Sequence, residues 1–179
     1  AKGEILARHK EDWMVCSLDW HPMNSQLLIG SNYEKLLKLW DFESSHPPRK
    51  IADFDGKLTE VRYSPDGAKY ACSNLDGTVY VFNGEDDQLL YRLANHTGAV
   101  ECLAWNPSGT RLATGSQDLT IRIWDTERGT QTLSFRAHEN TVESLDWSPD
   151  GKLLASGGGD STVRVWDATK GYEQASSPQ

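Results

Sequence analysis

Two aromatic series with a common period constrain this chain more than any other feature. Trp20, Tyr63, Trp105 and Trp147 are spaced by 43, 42 and 42 residues, and each is followed two places on by a proline, Pro22, Pro65, Pro107 and Pro149. Trp40, Phe82, Trp124 and Trp166 are spaced by 42 residues each time, and three of them precede Asp41, Asp125 and Asp167. One period shared by two independent series marks a repeat architecture, in which each copied unit buries its apolar surface on the next.

Within a period the pattern is that of short strands. Residues 142–147, VESLDW, alternate apolar and polar side chains as a half-buried strand does, and SPDG at 148–151 places Pro and Gly where a turn uses them. Residues 153–156 and 162–166 make two further strands joined by a turn at 157–161, and a less regular fourth strand precedes each repeat, as at 132–136. Each repeat is therefore expected to be a four-stranded antiparallel sheet. Such a sheet has two faces of apolar character, and radial stacking gives each face a neighbour.

These residues resemble the WD-repeat family of β-propellers, with motif elements LDWSPDG (145–151), LLASGGGD (153–160) and TVRVWD (162–167), and LAWNPSG, LATGSQD and TIRIWD one repeat earlier. The likeness runs from about Gly3 to Ala168. It implies an all-β propeller of four-stranded antiparallel blades, four of them in this chain, as half of an eight-bladed ring or part of a larger one. It also implies a buried hydrogen-bonded tetrad in two repeats: His96, Thr114, Asp118 and Trp124, and His138, Ser156, Asp160 and Trp166. The second repeat has Phe54, Cys72 and Phe82 at three tetrad positions and keeps only Asp76, so its tetrad is expected to be absent. A half-satisfied buried network is worse than an apolar core, which makes the joint loss coherent. The first repeat keeps His9 and Trp40 but carries insertions, with Glu34 in the turn.

The expected organisation is a seam strand at 1–8, completing the last blade or a partner's, then blades at 9–54, 55–93, 94–136 and 137–168, the last with three strands, and a polar tail at 169–179. Segments 5–8, 50–54, 89–93 and 132–136 all resemble an outer strand, and nothing comparable follows Trp166. An N-terminal strand can thus cover the open edge of a last blade. Three closures follow: a fragment of a larger propeller, which the start at Ala1 rather than Met favours, a pair of copies forming eight blades, or four blades closing alone.

Composition narrows the function. With 18 basic and 26 acidic side chains the net charge is −8, and residues 1–94 and 95–179 each contribute −4. An evenly acidic chain lacks the phosphate-neutralising stripe that dominates nucleic-acid affinity, which disfavours that partner. Apolar runs such as 27–30 and 153–155 are far below the roughly 20 residues that span a bilayer, and no stretch reads as a signal peptide. Cys16, Cys72 and Cys102 are odd in number and widely spaced, pointing to buried thiols in a reducing, intracellular compartment.

No catalytic, cofactor or metal site is expected. A hydrolase would need its Ser, His and Asp open to substrate with oxyanion donors nearby, whereas here the set recurs with Trp at its fourth corner. Gly157–Gly159 lies between strands rather than before a helix, so it is no phosphate cradle. His21 and His46 read as turn and loop residues without partners at metal-ligand spacing, and Asp86 and Asp87 as solvated hairpin carboxylates. The expected role is a non-enzymatic scaffold, because partner contacts sit on loops held by rigid elements. In WD-repeat propellers such contacts gather where the first strand starts and just before the third. The matching positions are Met14, Tyr33, Lys57, Leu75, Ala99, Glu101, Gln117, Thr141 and Glu143, together with Cys16, Thr59 and Gly159. Met14, Tyr33 and Leu75 make an apolar rim near Lys57, and Glu101 and Glu143 an acidic one. This fits a peptide or loop with an apolar anchor and a nearby Lys or Arg. A self-assembling half-propeller without a ligand is the alternative, and a propeller enzyme the third reading.

Overall fold

The two aromatic series share a period because they flank the same residue of a middle strand. The computed structural model describes residues 3–12 and 14–169, and within them all regular structure is strand apart from turns. Leu112 stands opposite both Trp105 and Trp124, Leu154 opposite Trp147 and Trp166, Leu27 opposite Trp20 and Trp40, and Tyr70 opposite Tyr63 and Phe82. Each repeat thus places one aromatic on either side of its central strand.

Fifteen strands form four antiparallel meanders. Blade 1 holds β1 (Val15–Trp20), β2 (Gln26–Ser31), β3 (Leu36–Asp41) and β4 (Arg49–Asp53). Blade 2 holds β5 (Leu58–Tyr63), β6 (Lys69–Asn74), β7 (Val79–Asn83) and β8 (Leu89–Leu93). Blade 3 holds β9 (Val100–Trp105), β10 (Arg111–Ser116), β11 (Thr120–Asp125) and β12 (Thr130–Arg136). Blade 4 has three strands, β13 (Val142–Trp147), β14 (Leu153–Gly158) and β15 (Val163–Asp167). β14 extends two residues into the stretch expected to turn.

The apolar core is divided into joints between consecutive blades, as alternation on two-faced sheets requires. Leu28, Leu37 and Leu39 of blade 1 pack on Leu58, Val61, Tyr63, Tyr70 and Phe82 of blade 2. Ala71, Val79 and Val81 pack on Val100, Leu103, Trp105, Leu112 and Trp124, and Ala113, Ile121 and Ile123 on Val142, Trp147 and Leu154. The inner strands follow one another, β1 on β5, β5 on β9 and β9 on β13, while β1 and β13 do not pack in the same way. The four blades form an arc with two end faces.

The N-terminal segment departs from expectation. Residues 5–8 form no strand, and Ile5 and Leu6 are exposed. A strand needs a partner for its backbone groups. Here His9 sits against Trp40 of blade 1, with ring centroids 6.0 Å apart, while the open edge of β15 belongs to the other end of the arc. The expected tail from residue 170 onward lies outside the described residues.

Candidate functional site

Each rim position is built on a turn, and in blades 3 and 4 a buried tetrad anchors that turn. His96 Nδ1 lies 2.8 Å from Asp118 Oδ2, and its Nε2 lies 2.7 Å from Thr114 Oγ1. The Trp124 indole N–H donates to the same hydroxyl oxygen at 3.0 Å. One set of roles accounts for these three contacts: neutral His96 donates to the carboxylate and accepts the Thr114 hydroxyl proton. Blade 4 repeats this, with His138 Nδ1 2.9 Å from Asp160, Nε2 2.8 Å from Ser156 Oγ, and the Trp166 indole donating to Ser156 at 2.9 Å.

The aspartates also hold backbone. Asp118 accepts the amide N–H groups of Thr97 at 3.1 Å and Thr120 at 2.9 Å, and Asp160 those of Glu139 at 2.9 Å and Thr162 at 3.1 Å. Burial opposes ionisation of Asp118, but hydrogen bonds from Thr120 and His96 outweigh it and hold the carboxyl at about 2. The Glu139 amide holds Asp160 well below the usual carboxylate range. Burial pushes His96 below the ordinary imidazole value, with Asp118 opposing. Thr114, Ser156, His96 and His138 are buried and both aspartates half-buried, so in each set the hydroxyl and the imidazole are shielded as well as internally bonded.

Blade 2 replaces the tetrad with packed rings. Phe54 lies 4.7 Å from Tyr80 and 6.5 Å from Phe82, Phe82 stacks on Tyr70 at 5.2 Å, and Cys72 is buried among them. Asp76 accepts the Thr78 amide at 2.9 Å. In blade 1, apolar Ile29 faces Lys38 across the β2–β3 ladder, where blades 3 and 4 set Thr114 and Ser156 opposite Arg122 and Arg164. Lys38 there bridges Glu11 and Glu34, and His9 Nε2 lies 3.3 Å from Glu11.

The structure brings the expected rim positions together in pairs at one end of the inner strands. The Leu75 N–H donates to the Lys57 carbonyl, Gln117 to Ala99 and Gly159 to Thr141, each at 2.9 Å. In blade 1 the pair is shifted by one residue, Asn32 donating to Met14 at 3.3 Å. Met14, Tyr33 and Leu75 are exposed, and the Lys57 ammonium lies 4.3 Å from the centroid of the Tyr33 ring, a cation–π distance. Gln117 donates to Glu101 at 2.7 Å, Glu143 is exposed and Thr141 half-buried. Ala99 is a correction: it is only 6% exposed, because its single methyl is too short to reach out of the turn that the Gln117 N–H closes on its carbonyl, and it offers a partner no surface.

Glu101 and Glu143 share a groove with Glu60, Arg62 and Asp146. The last three lie outside the expected rim. They sit within the inner strands, where polar side chains between apolar ones are the signal that could have found them. Glu60 accepts the Leu103 amide across the joint at 2.5 Å and pairs with Arg62, and burial raises its carboxyl above the usual range. Asp87, expected to be merely solvated, accepts the Tyr70 hydroxyl at 2.7 Å and pairs with Arg49 of the preceding blade at 2.5 Å.

Among the described residues no group of three or more His, Cys, Asp or Glu is arranged to hold a metal ion, and no helix is long and apolar enough to cross a membrane. The three cysteines are unpaired, and burial pushes the Cys72 and Cys102 thiols well above their ordinary value.

Comparison with known proteins agrees with this geometry. The family model of the WD domain, G-beta repeat, matches residues 3–41, 48–83, 87–125 and 129–167. Human Coronin-7 is 40% identical over 78 residues, 44% of this chain and 8% of that protein. A guanine nucleotide-binding protein subunit beta of Oryza sativa is 28% identical over 82 residues, 45% of this chain and 21% of that protein. The small ribosomal subunit protein RACK1 of Neurospora crassa is 27% identical over 93 residues, 51% of this chain and 29% of that protein. The matched part of this chain thus spans less than a third of the length of each of these relatives. Four registered copies, two with complete tetrads, and a family match across most of the sequence mean that this chain belongs to the WD-repeat family.

Proposed function

We propose that this chain is a non-enzymatic protein-interaction scaffold whose channel-facing rim receives a peptide or loop carrying an apolar anchor and a nearby Lys or Arg. The observation that carries the reading is the division of the rim. Exposed Met14, Tyr33 and Leu75 lie on blades 1 and 2, with Lys57 against the Tyr33 ring. Glu101 and Glu143 line one groove on blades 3 and 4. An apolar anchor flanked by complementary charge is how small interfaces obtain both affinity and register. Two relatives support an assembly role by name, one a subunit of a guanine nucleotide-binding protein and one a protein of the small ribosomal subunit. The net charge of −8 favours a protein over a nucleic-acid partner, and three unpaired thiols favour an intracellular setting.

Selection of a random peptide display library on the chain tests this. Enriched peptides should pair an aromatic or aliphatic residue with Lys or Arg, and should lose binding and salt dependence on Glu101→Lys/Glu143→Lys. Peptides that bind that variant equally well overturn the reading. A second reading, self-association of two copies into an eight-bladed ring, is favoured by the exposed apolar faces at the two ends of the arc.

A further inference from the structure

The joints between blades are built alike, and the two ends of the arc carry the two halves of one more. Val79 and Val81 of blade 2 and Ile121 and Ile123 of blade 3 are buried against the next blade. The residues 42 positions on from this last pair, Val163 and Val165 of blade 4, are 79% and 64% exposed. On the receiving side Val61 with Tyr63, and Leu103 with Trp105, are buried, whereas their blade 1 counterparts Leu18 and Trp20 are 50% and 53% exposed.

Polar atoms repeat the match. In the first joint Ser17 Oγ accepts the Val61 N–H at 3.2 Å and Asp19 Oδ2 accepts the Tyr63 N–H at 2.7 Å. In the next two, the indole N–H of Trp105 donates to the Arg62 carbonyl at 3.2 Å, and that of Trp147 to the Ala104 carbonyl at 3.0 Å. The inner strand of blade 4 spells Ser144, Leu145, Asp146, Trp147, the same four residue types as Ser17, Leu18, Asp19, Trp20. Ser144 and Asp146 are exposed and have no following blade among the described residues.

Resting on the self-association reading, we propose that the open face of blade 4 takes blade 1 of a second copy. Ser144 and Asp146 accept the Leu18 and Trp20 amides, the Asp146 carbonyl accepts the Trp20 indole N–H, and Val163 and Val165 cover the Leu18 and Trp20 face. Each copy carries both faces, so a two-fold pair completes two such joints and brings the described blades to eight, within the blade numbers that propellers adopt. The pairing also gives residues 5–8 a partner. The family match starts each later copy at the outer strand of the preceding blade, and in the first copy that position falls on this segment, which would lie along the partner's open β15 edge.

Sedimentation velocity of the whole chain over a concentration series tests the proposal, with Leu18→Glu, Val165→Glu and Ser144→Ala/Asp146→Ala as variants. All four positions are exposed, so the variants keep the fold, and circular dichroism checks that they do. The expected result is a particle of twice the 20.0 kDa chain mass. Each variant should weaken association by about tenfold or more, the scale of a lost charged hydrogen bond or a buried charge. Mixing Leu18→Glu with Val165→Glu should restore association beyond either alone, because one of the two joints is then unaltered. A wild-type chain of single mass at every concentration overturns the self-association reading and this joint together. A doubled mass unaffected by the variants, or not restored by mixing, leaves self-association standing and overturns the joint. Growing polymers overturn the closed pair.

Discussion

The Thr114 hydroxyl oxygen accepts the Trp124 indole N–H at 3.0 Å while lying 2.7 Å from His96 Nε2, so one small buried side chain satisfies two larger ones. Thr114→Val preserves shape and leaves both ring nitrogens without partners. At about 1–3 kcal/mol for each unsatisfied buried group, the expected loss is about 2–6 kcal/mol in urea unfolding. Ser156→Ala should cost less, because Trp166 is only half-buried and water reaches the last blade.

Acid should weaken the fold through the same network. His96 has a folded pKa below its ordinary 6.5, and Asp118 one of about 2 against an ordinary 3.8. In both cases the unfolded chain binds protons first, so the stability is complete above about pH 6.5, declines as His96 is forced to protonate, and falls again below about pH 4 toward the Asp118 value. The urea midpoint should therefore drop between about pH 7 and 5 at constant salt, and His96→Gln should flatten that part of the profile. An unchanged slope in the variant would assign the acid sensitivity elsewhere.

Gly77 couples blades 2 and 3. It has a φ of +86°, and a Cβ there would stand 2.6 Å from the His96 carbonyl oxygen. Gly77→Ala meets left-handed strain and a backbone clash together, with an expected cost of about 2 kcal/mol or more. Gly151→Ala is the comparison: its φ is +69°, but the nearest atom is 3.5 Å away, so only the strain remains. Thermal unfolding of the two variants separates the clash from the strain.

Asp87 serves two partners of unequal weight. Arg49 is 55% exposed, so its ion pair is screened and Arg49→Ala should change stability by about 0.5 kcal/mol or less. Asp87→Ala also removes the acceptor of the Tyr70 hydroxyl, whose ring is buried, and should cost about 1–2 kcal/mol. Equal effects in denaturant titration would show that the hydroxyl is satisfied by water.

The blade was legible in the sequence because its signals are local. Alternation in VESLDW, the SPDG turn and the 42-residue spacing of Trp124 and Trp166 each lie within one repeat, and the backbone has few ways to satisfy them. The turn that brings Gln117 beside Ala99, just before β9, was implied by the resemblance to WD-repeat propellers. The rim's chemistry was less accessible. Ala99 looked available beside Glu101, yet it is buried, and the cross-joint hydrogen bond of Glu60 to Leu103 depends on how two sheets meet.

By itself, then, the sequence determined a four-fold repeated β-sheet, since periodicity and residue type act over a few tens of residues, while the two polar tetrads and the loss of a third were implied by its resemblance to WD-repeat propellers. Tertiary structure alone decided which identical positions are buried and which are not. Ile121 and Val163 occupy the same place in their repeats, but among the described residues only Ile121 has a blade packed on it. Burial is a property of the neighbour as much as of the side chain, and the neighbour is set by the order of blades along the arc.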